Sequence, residues 1–223
     1  MNIIEAINSR KSIRAYKADP VPKDVLRSIV EAAGRAPSAM NTQPWEFTVI
    51  TGSALANIVR ENVAKLKAGE KHNPEHQVVG WTQDSVHRQR QVELAMQIFK
   101  IMGIPREDKI KRAQWMERGF RNFDAPAMII IAVDRSLSET GPVLDVGAVM
   151  QNICLAALHY GLGTCIHDQG VLYPETLRKY AGIPESKRIM IAIAVGYPDE
   201  QAPANTVAST RLPIDDVVTW QGF

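Results

Sequence analysis

Three short, nearly continuous apolar runs, at residues 45–50, 127–133 and 188–195, constrain this chain more than any other feature. Each is too short for a helix of ordinary length and is bounded by a breaker or a charge: Pro44, Pro126 with Asp134, and Gly196. Such runs read as strands buried on both faces, and the first is apolar enough to expect at the centre of the sheet. Helical periods fill the intervals. Residues 22–33 begin with Pro22 and carry Val25, Leu26, Ile29, Val30 and Ala33 on one stripe before Gly34 closes the helix. Residues 54–121 are strongly charged and helical, with Val92, Leu94, Ala95, Ile98 and Met102 at helical spacing and a break at Gly103-Ile104-Pro105. Because a strand resumes at 127, that stretch is expected to be a helical cap excursion from a single domain spanning 1–223. Residues 141–160 are apolar on nearly every side, which predicts a helix buried all round and, in a chain this small, a subunit interface. Gly161-Leu162-Gly163, a strand or loop at 164–166 and a helix at 174–180 complete an α/β or α+β order that ends in an unpatterned tail.

Composition excludes several classes. A net charge of +2 on 223 residues gives no concentrated basic face for nucleic acid or an anionic membrane. No apolar stretch approaches the roughly 18 residues that span a bilayer, and Met1 to Glu5 lacks the apolar core of a secretory signal, so a cytoplasmic protein is expected. Cys154 and Cys165 have no metal-ligand spacing and read as packing residues. His72 and His76 flank Pro74 and lack the zincin order, and no metal site is expected. Gly161 and Gly163 follow a helix and Ile166 stands in place of the third glycine of a dinucleotide fingerprint, while a P-loop is absent. Cys165, His167 and Asp168 are too close in sequence to form a nucleophilic triad, and their segment reads as backbone that approaches a ligand.

Positive candidates lie elsewhere. Arg10, Lys11 and Arg14 alternate with Ser9 and Ser12, a donor set suited to a phosphate monoester, though a solvated basic loop has the same composition. Arg211 stands among Ser209, Thr210 and Pro213 near the other end of the chain. Ser38, Asn41 and Gln43, in a turn between Pro37 and Pro44, could contact a ring or a polyol.

Residues 9–16, 37–45, 161–170 and 209–213 together resemble the nitroreductase family of flavoproteins in identity, order and spacing. Residues 102–108 and 120–126 are similar to its nitrobenzoate-reductase branch. The resemblance implies an α+β, nitroreductase-like fold with a central mixed sheet flanked by helices, in an intertwined homodimer with FMN at the interface. It places Arg10, Lys11, Ser12, Arg14, Ser209 and Arg211 around the phosphate, ribityl chain and pyrimidine edge. Pro37, Ser38, Ala39, Met40, Asn41 and Gln43 would reach the same flavin from the partner chain. Near Ile166, His167, Asp168 and Gln169, a backbone N–H of Asp168 or Gln169 would address flavin N5. NADH or NADPH would deliver hydride at N5, and nitroaromatics, quinones or activated alkenes would take the electrons in ping-pong fashion. Arg14 would tune the flavin, and no side chain need act as nucleophile. The chain departs from the family where Ser209 replaces a frequent Lys. It also lacks a tyrosine between Thr51 and Asp124, unlike the iodotyrosine-deiodinase branch. Trp115, Phe120 and Phe123 would line the substrate pocket unless they are core, as holds also for Trp81. An oxygen-dependent or dehalogenating flavoenzyme and a non-catalytic FMN-binding protein are the alternatives.

Overall fold

The computed structural model describes residues 1–78 and 80–223; Val79, inside the 54–121 stretch, lies outside the described residues. Four strands, β1 (Trp45–Thr51), β2 (Ala127–Asp134), β3 (Gly163–His167) and β4 (Lys187–Gly196), form one sheet in the order β1-β2-β4-β3. All three pairings are antiparallel, and the parallel component is an isolated bridge from Ser12 to Thr164 on the outer edge of β3. The sheet is mixed only through that bridge.

The expectation that residues 45–50 are central is corrected, since β1 is an edge strand. Trp45 and Ile50 are buried, but Glu46, Val49 and Thr51 are exposed, whereas every residue of β2 before Asp134 is buried. Alternation explains why β2 is apolar throughout: Ile129, Ile131 and Val133 enter one core, Met128 and Ile130 the other. The first core is closed by α2 (Lys23–Ala33), through Leu26, Ile29 and Ala33, and by α6 (Val143–His159), through Val149, Ile153 and Ala157. The second is closed by α3 (Gly52–Ala68), through Leu55 and Ile58, and by α7 (Pro174–Ala181), through Leu177. At roughly 1.5–3 kcal/mol per buried aliphatic side chain, these two layers supply most of the favourable burial.

Within the 54–121 stretch, α3 therefore lies on the sheet itself. The later helices behave differently: α4 (Val86–Ile101) buries only Ile98, and α5 (Lys109–Phe120) buries Gly119 and Phe120. Ser85 and Asp108 cap them by accepting from the Arg88 and Lys111 N–H groups, as the orphan amides of a helix start require.

Helix α6 is expected from its sequence to be buried all round at a subunit interface. In the single chain it is buried along one stripe only, with Leu144 85% exposed and Met150, Leu155 and Leu158 half-buried. Its remaining apolar faces are open in this chain. Ile3, Ile4 and Ile7 of α1 (Ile3–Ser9) are exposed too, as are Ile214, Val217, Trp220 and Phe223 of the tail. No helix among the described residues is long and apolar enough to cross a membrane.

Candidate functional site

The N-terminal run is fixed as an extra, short edge to the sheet. Ile13 N–H donates to the Thr164 carbonyl at 2.9 Å, and Gly163 must be glycine there, because a Cβ would sit 2.4 Å from Ile13 Cγ1. A buried side chain, Asn205, holds the other side. Its Nδ2 donates to the Ala15 and Asp199 carbonyls, both at 2.8 Å, and its Oδ1 accepts from the Arg14 N–H at 2.7 Å. Its carbonyl accepts from Lys11 Nζ at 2.7 Å. Asn205 sits in an unpatterned tail, where nothing in the sequence marks one asparagine above another.

This clamp opens onto a cavity of about 700 Å³. Arg10, Lys11 and Ser12 line it from the first segment, Ile166 from β3, and Ser209 and Arg211 from the tail, joined by Ser9 and by Gln151 of α6. Six of the expected cofactor residues thus converge from three distant parts of the chain. Gln151 was not anticipated, because it lies mid-helix in a segment dominated by its apolar pattern. No carboxylate lines the cavity among the described residues. Two guanidiniums, an ammonium and hydroxyls with no opposing acid suit a phosphate monoester, such as that of FMN. Arg211 Nη1 now donates to Ser209 Oγ at 3.0 Å and to the Thr210 carbonyl at 2.8 Å. Arg14 does not line the cavity. Its guanidinium donates to the Ser12 carbonyl at 3.4 Å, and its own carbonyl accepts from Arg118 Nη2 at 2.9 Å.

The second expected rim stands apart from this cavity. Residues 39–41 form a 3₁₀ turn in which Met40 and Asn41, with Gln43 just beyond, take φ of 52°, 59° and 46°. Left-handed backbone at non-glycine residues costs of order 1–3 kcal/mol each, so the loop needs its clamps. Ser38 Oγ accepts from Gln43 N–H at 2.9 Å, Gln43 Nε2 donates to Asn41 Oδ1 at 3.3 Å, and Ala39 N–H donates to Asp145 Oδ1 at 3.2 Å on α6. Met40 is nevertheless 96% exposed, and Pro37, Ala39, Asn41 and Gln43 are exposed beside it.

At the end of β3 the buried His167 ring accepts the Gly170 N–H at Nδ1 (3.2 Å) and faces Asn122 Oδ1 with Nε2 (3.1 Å). Complete burial lowers its pKa to about 3, so the ring is neutral. Gln169 lays its side chain against Gly119 of α5, where a Cβ would come within 2.5 Å. Burial likewise raises the Cys154 thiol and pushes Cys165 to about 11, so neither is a reactive thiolate.

Of the aromatic residues expected either to line a substrate pocket or to pack in the core, two are buried in the single chain and one is half-buried. Phe120 is buried in a ring cluster with His72 and Tyr173, at 5.7 and 6.0 Å between centroids. Phe123 is buried against Ala125, Cys165 and Ala194 and meets the His167 ring edge-on at 5.3 Å. Both are buried in this chain, at 3% and 6% exposure. Trp115 stays half-buried on α5 with Arg118 at 6.0 Å over its ring.

An antiparallel sheet between two helical layers, with an acid-free cationic cavity at its β3 edge, defines an α+β protein of the small-ligand-binding kind. The chain belongs to the Nitroreductase family, whose model matches residues 7–197. It is 31% identical over 219 residues to the nitrobenzene nitroreductase of Ectopseudomonas oleovorans, covering 98% of this chain and 96% of that one. Among solved structures it is similar to the FMN and NADPH-dependent nitroreductase NfnB from sphigopyxis sp. strain HMH, with a TM-score of 0.94 at 29% identity and full coverage of both chains. NfnB from Mycobacterium smegmatis, FMN-dependent and solved in complex with NADPH, matches with a TM-score of 0.90 at 25% identity over 98% of this chain and 97% of that one.

Proposed function

We propose that this protein is a cytoplasmic, homodimeric, FMN-dependent NAD(P)H oxidoreductase that reduces nitroaromatic compounds, and also quinones or activated alkenes, by a ping-pong mechanism. The observation that carries the reading is the convergence of Arg10, Lys11, Ser12, Ile166, Ser209 and Arg211 on one cavity with no carboxylate among its described lining residues. Relatives named as nitroreductases, two of them FMN-dependent, give the chemical direction. Bound FMN supplies a two-electron carrier that takes hydride from a nicotinamide and gives electrons to a second substrate.

The chain's own residues do the rest. Arg10 and Arg211 grip phosphate oxygens with paired N–H donors, Ser12 adds a hydroxyl, and Lys11 adds charge from the donors not given to Asn205. Lys11 thereby takes up part of the role of the lysine that Ser209 replaces. Ile166 gives the cavity an apolar wall, and Asp168 and Gln169 follow it with backbone donors. Arg14 contributes positive potential from behind the run that Asn205 anchors.

A second copy of the chain would bring residues 37–43 to the cavity. The reading is supported by a clamped but exposed turn with Met40 open to water, and by apolar faces left bare on α1, α6 and the tail. Soluble single chains rarely expose so much apolar surface without a partner. Helices α4 and α5, which bury little against the sheet, would cap the site, and of Trp115, Phe120 and Phe123 it is Trp115 that remains available to substrate there. The reading is tested by purifying the protein and titrating its flavin with NADPH and NADH under argon. A yellow protein whose absorbance bleaches with either donor supports it. A protein that takes up no FMN contradicts it.

A further inference from the structure

We propose that His167, locked by Asn122, is a positioning residue of the flavin site: its Nδ1 captures the Gly170 N–H and so leaves the Asp168 and Gln169 N–H groups as free donors directly after Ile166. The inference rests on the FMN reading above and assigns the side chains that set up its backbone contact.

The turn after β3 has four consecutive amides to place. Val171 N–H donates to the Asp168 carbonyl at 2.8 Å, and Gly170 N–H donates to His167 Nδ1 at 3.2 Å. The Asp168 and Gln169 N–H groups have no hydrogen-bond acceptor among the described residues. Gly170 is buried, so its N–H needs an acceptor, and without the imidazole the turn would rotate to find a carbonyl. That rotation would redirect the two free amides.

The ring can accept at Nδ1 only if its proton is at Nε2, and Asn122 selects that tautomer. Asn122 Nδ2 donates to the Ala125 and Ala127 carbonyls at 3.3 and 3.0 Å, which turns Oδ1 toward Nε2 at 3.1 Å. Asn122 is wholly buried and stands in a run of left-handed residues, with φ of 54°, 52° and 64° at Asn122, Phe123 and Asp124. A left-handed phenylalanine persists only where its surroundings hold it. Here Arg121 holds Asp124 through Nε at 2.8 Å and Nη2 at 2.5 Å, and the Phe123 ring closes on His167. From the other side, a Cβ on Gly170 would lie 2.7 Å from both His167 Cε1 and Ala192 Cβ, so this close approach of the turn to the ring requires glycine.

Two adjacent free amides carry partial positive charge, which favours negative charge in a ring system seated against them. The ring–Asn122 lock therefore acts on the flavin's electron affinity without touching it.

The isosteric pair His167→Asn and His167→Gln separates this role from packing. Asparagine places an amide oxygen at the position of Nδ1, where Gly170 can still donate; glutamine reaches the position of Nε2 and Asn122 but leaves Gly170 without its acceptor. In protein freed of FMN, hydrogen exchange at the Gly170 amide is expected to stay slow in H167N and to rise at least tenfold in H167Q. In FMN-loaded protein, H167Q is expected to move the flavin midpoint potential negative and to slow flavin reduction roughly tenfold with little change in the KM for NADPH, while H167N stays near the wild type. Equal exchange and equal potentials in the two variants would overturn the inference, as would a loss of thermal stability in H167Q with an unmoved potential. If wild-type protein binds no FMN while the exchange contrast persists, the cofactor reading fails and the turn lock stands as architecture alone.

Discussion

At the scale of single residues, the site depends on polar atoms that are neither charged nor conspicuous. Arg10, Lys11 and Arg211 are legible in the sequence as cations interleaved with hydroxyls, a set that suits phosphate and equally a solvated basic loop. Asn205 does not stand out, yet it satisfies two carbonyls and one N–H of the surrounding backbone. Asn205→Leu would leave those groups buried and unpaired, so a loss of about 2–4 kcal/mol in urea unfolding is expected together with weaker FMN binding. Arg211→Ala removes a cation from the cavity wall without disturbing the core, and equilibrium dialysis should show FMN affinity falling by about 10- to 100-fold. Unchanged affinity in that variant would mean that the tail does not hold the phosphate. Arg14→Ala should slow flavin reduction in stopped-flow traces more than it alters assembly, because it removes a positive charge without removing a lining residue of the cavity.

At the scale of elements, the three apolar runs announced strands, and their continuous apolarity rightly implied burial on both faces for β2 and β4. The same signal misplaced β1, because a short run with a single charge does not reveal that Glu46 and Val49 stay exposed on an edge. Helix α6 shows the complementary difficulty. Its all-round apolarity was plain, but a single chain covers only one stripe, so what covers the rest is decided outside this chain's own packing. Phe120 and Phe123 could not be assigned from spacing, since aromatic residues serve pocket and core alike. One clasp had no visible signal at all. Glu75, between the histidines at 72 and 76, accepts from Arg178 Nη2 at 2.6 Å and from the Ile189 N–H at 2.7 Å, and also pairs with Arg135. It fastens the loop after α3 to α7 and β4. Burial is the largest single influence on this carboxyl and opposes ionisation, but the Ile189 N–H, Arg178 and Arg135 together outweigh it and hold its pKa below the ordinary carboxylate value. A depressed folded-state pKa contributes stability that is present above the unfolded value and is lost as pH falls through the folded one. Glu75→Gln should therefore cost about 2–3 kcal/mol near neutrality and flatten the acid limb of the stability profile, as followed by circular dichroism against pH.

At the scale of the whole molecule, one chain brings together only one of the two rims of the proposed site. The N-terminal run, β3 and the tail meet at the cavity, while the turn at 37–43 presents its strained backbone and Met40 elsewhere. In the proposed homodimer a second copy would close that gap, and the bare apolar faces of α1, α6 and the tail are the surfaces it would cover. Leu144→Glu, on the exposed face of α6, should shift the mass measured by light scattering toward the monomer and release FMN together with the partner. A monomeric wild type would remove the second rim from the account. The most direct test of the central claim is an anaerobic titration of the purified protein with NADPH, followed by addition of nitrobenzene. FMN is expected to be held through isolation, bleached by the nicotinamide and restored by the nitro compound. Absence of FMN, or a bound flavin that neither reagent changes, would contradict it.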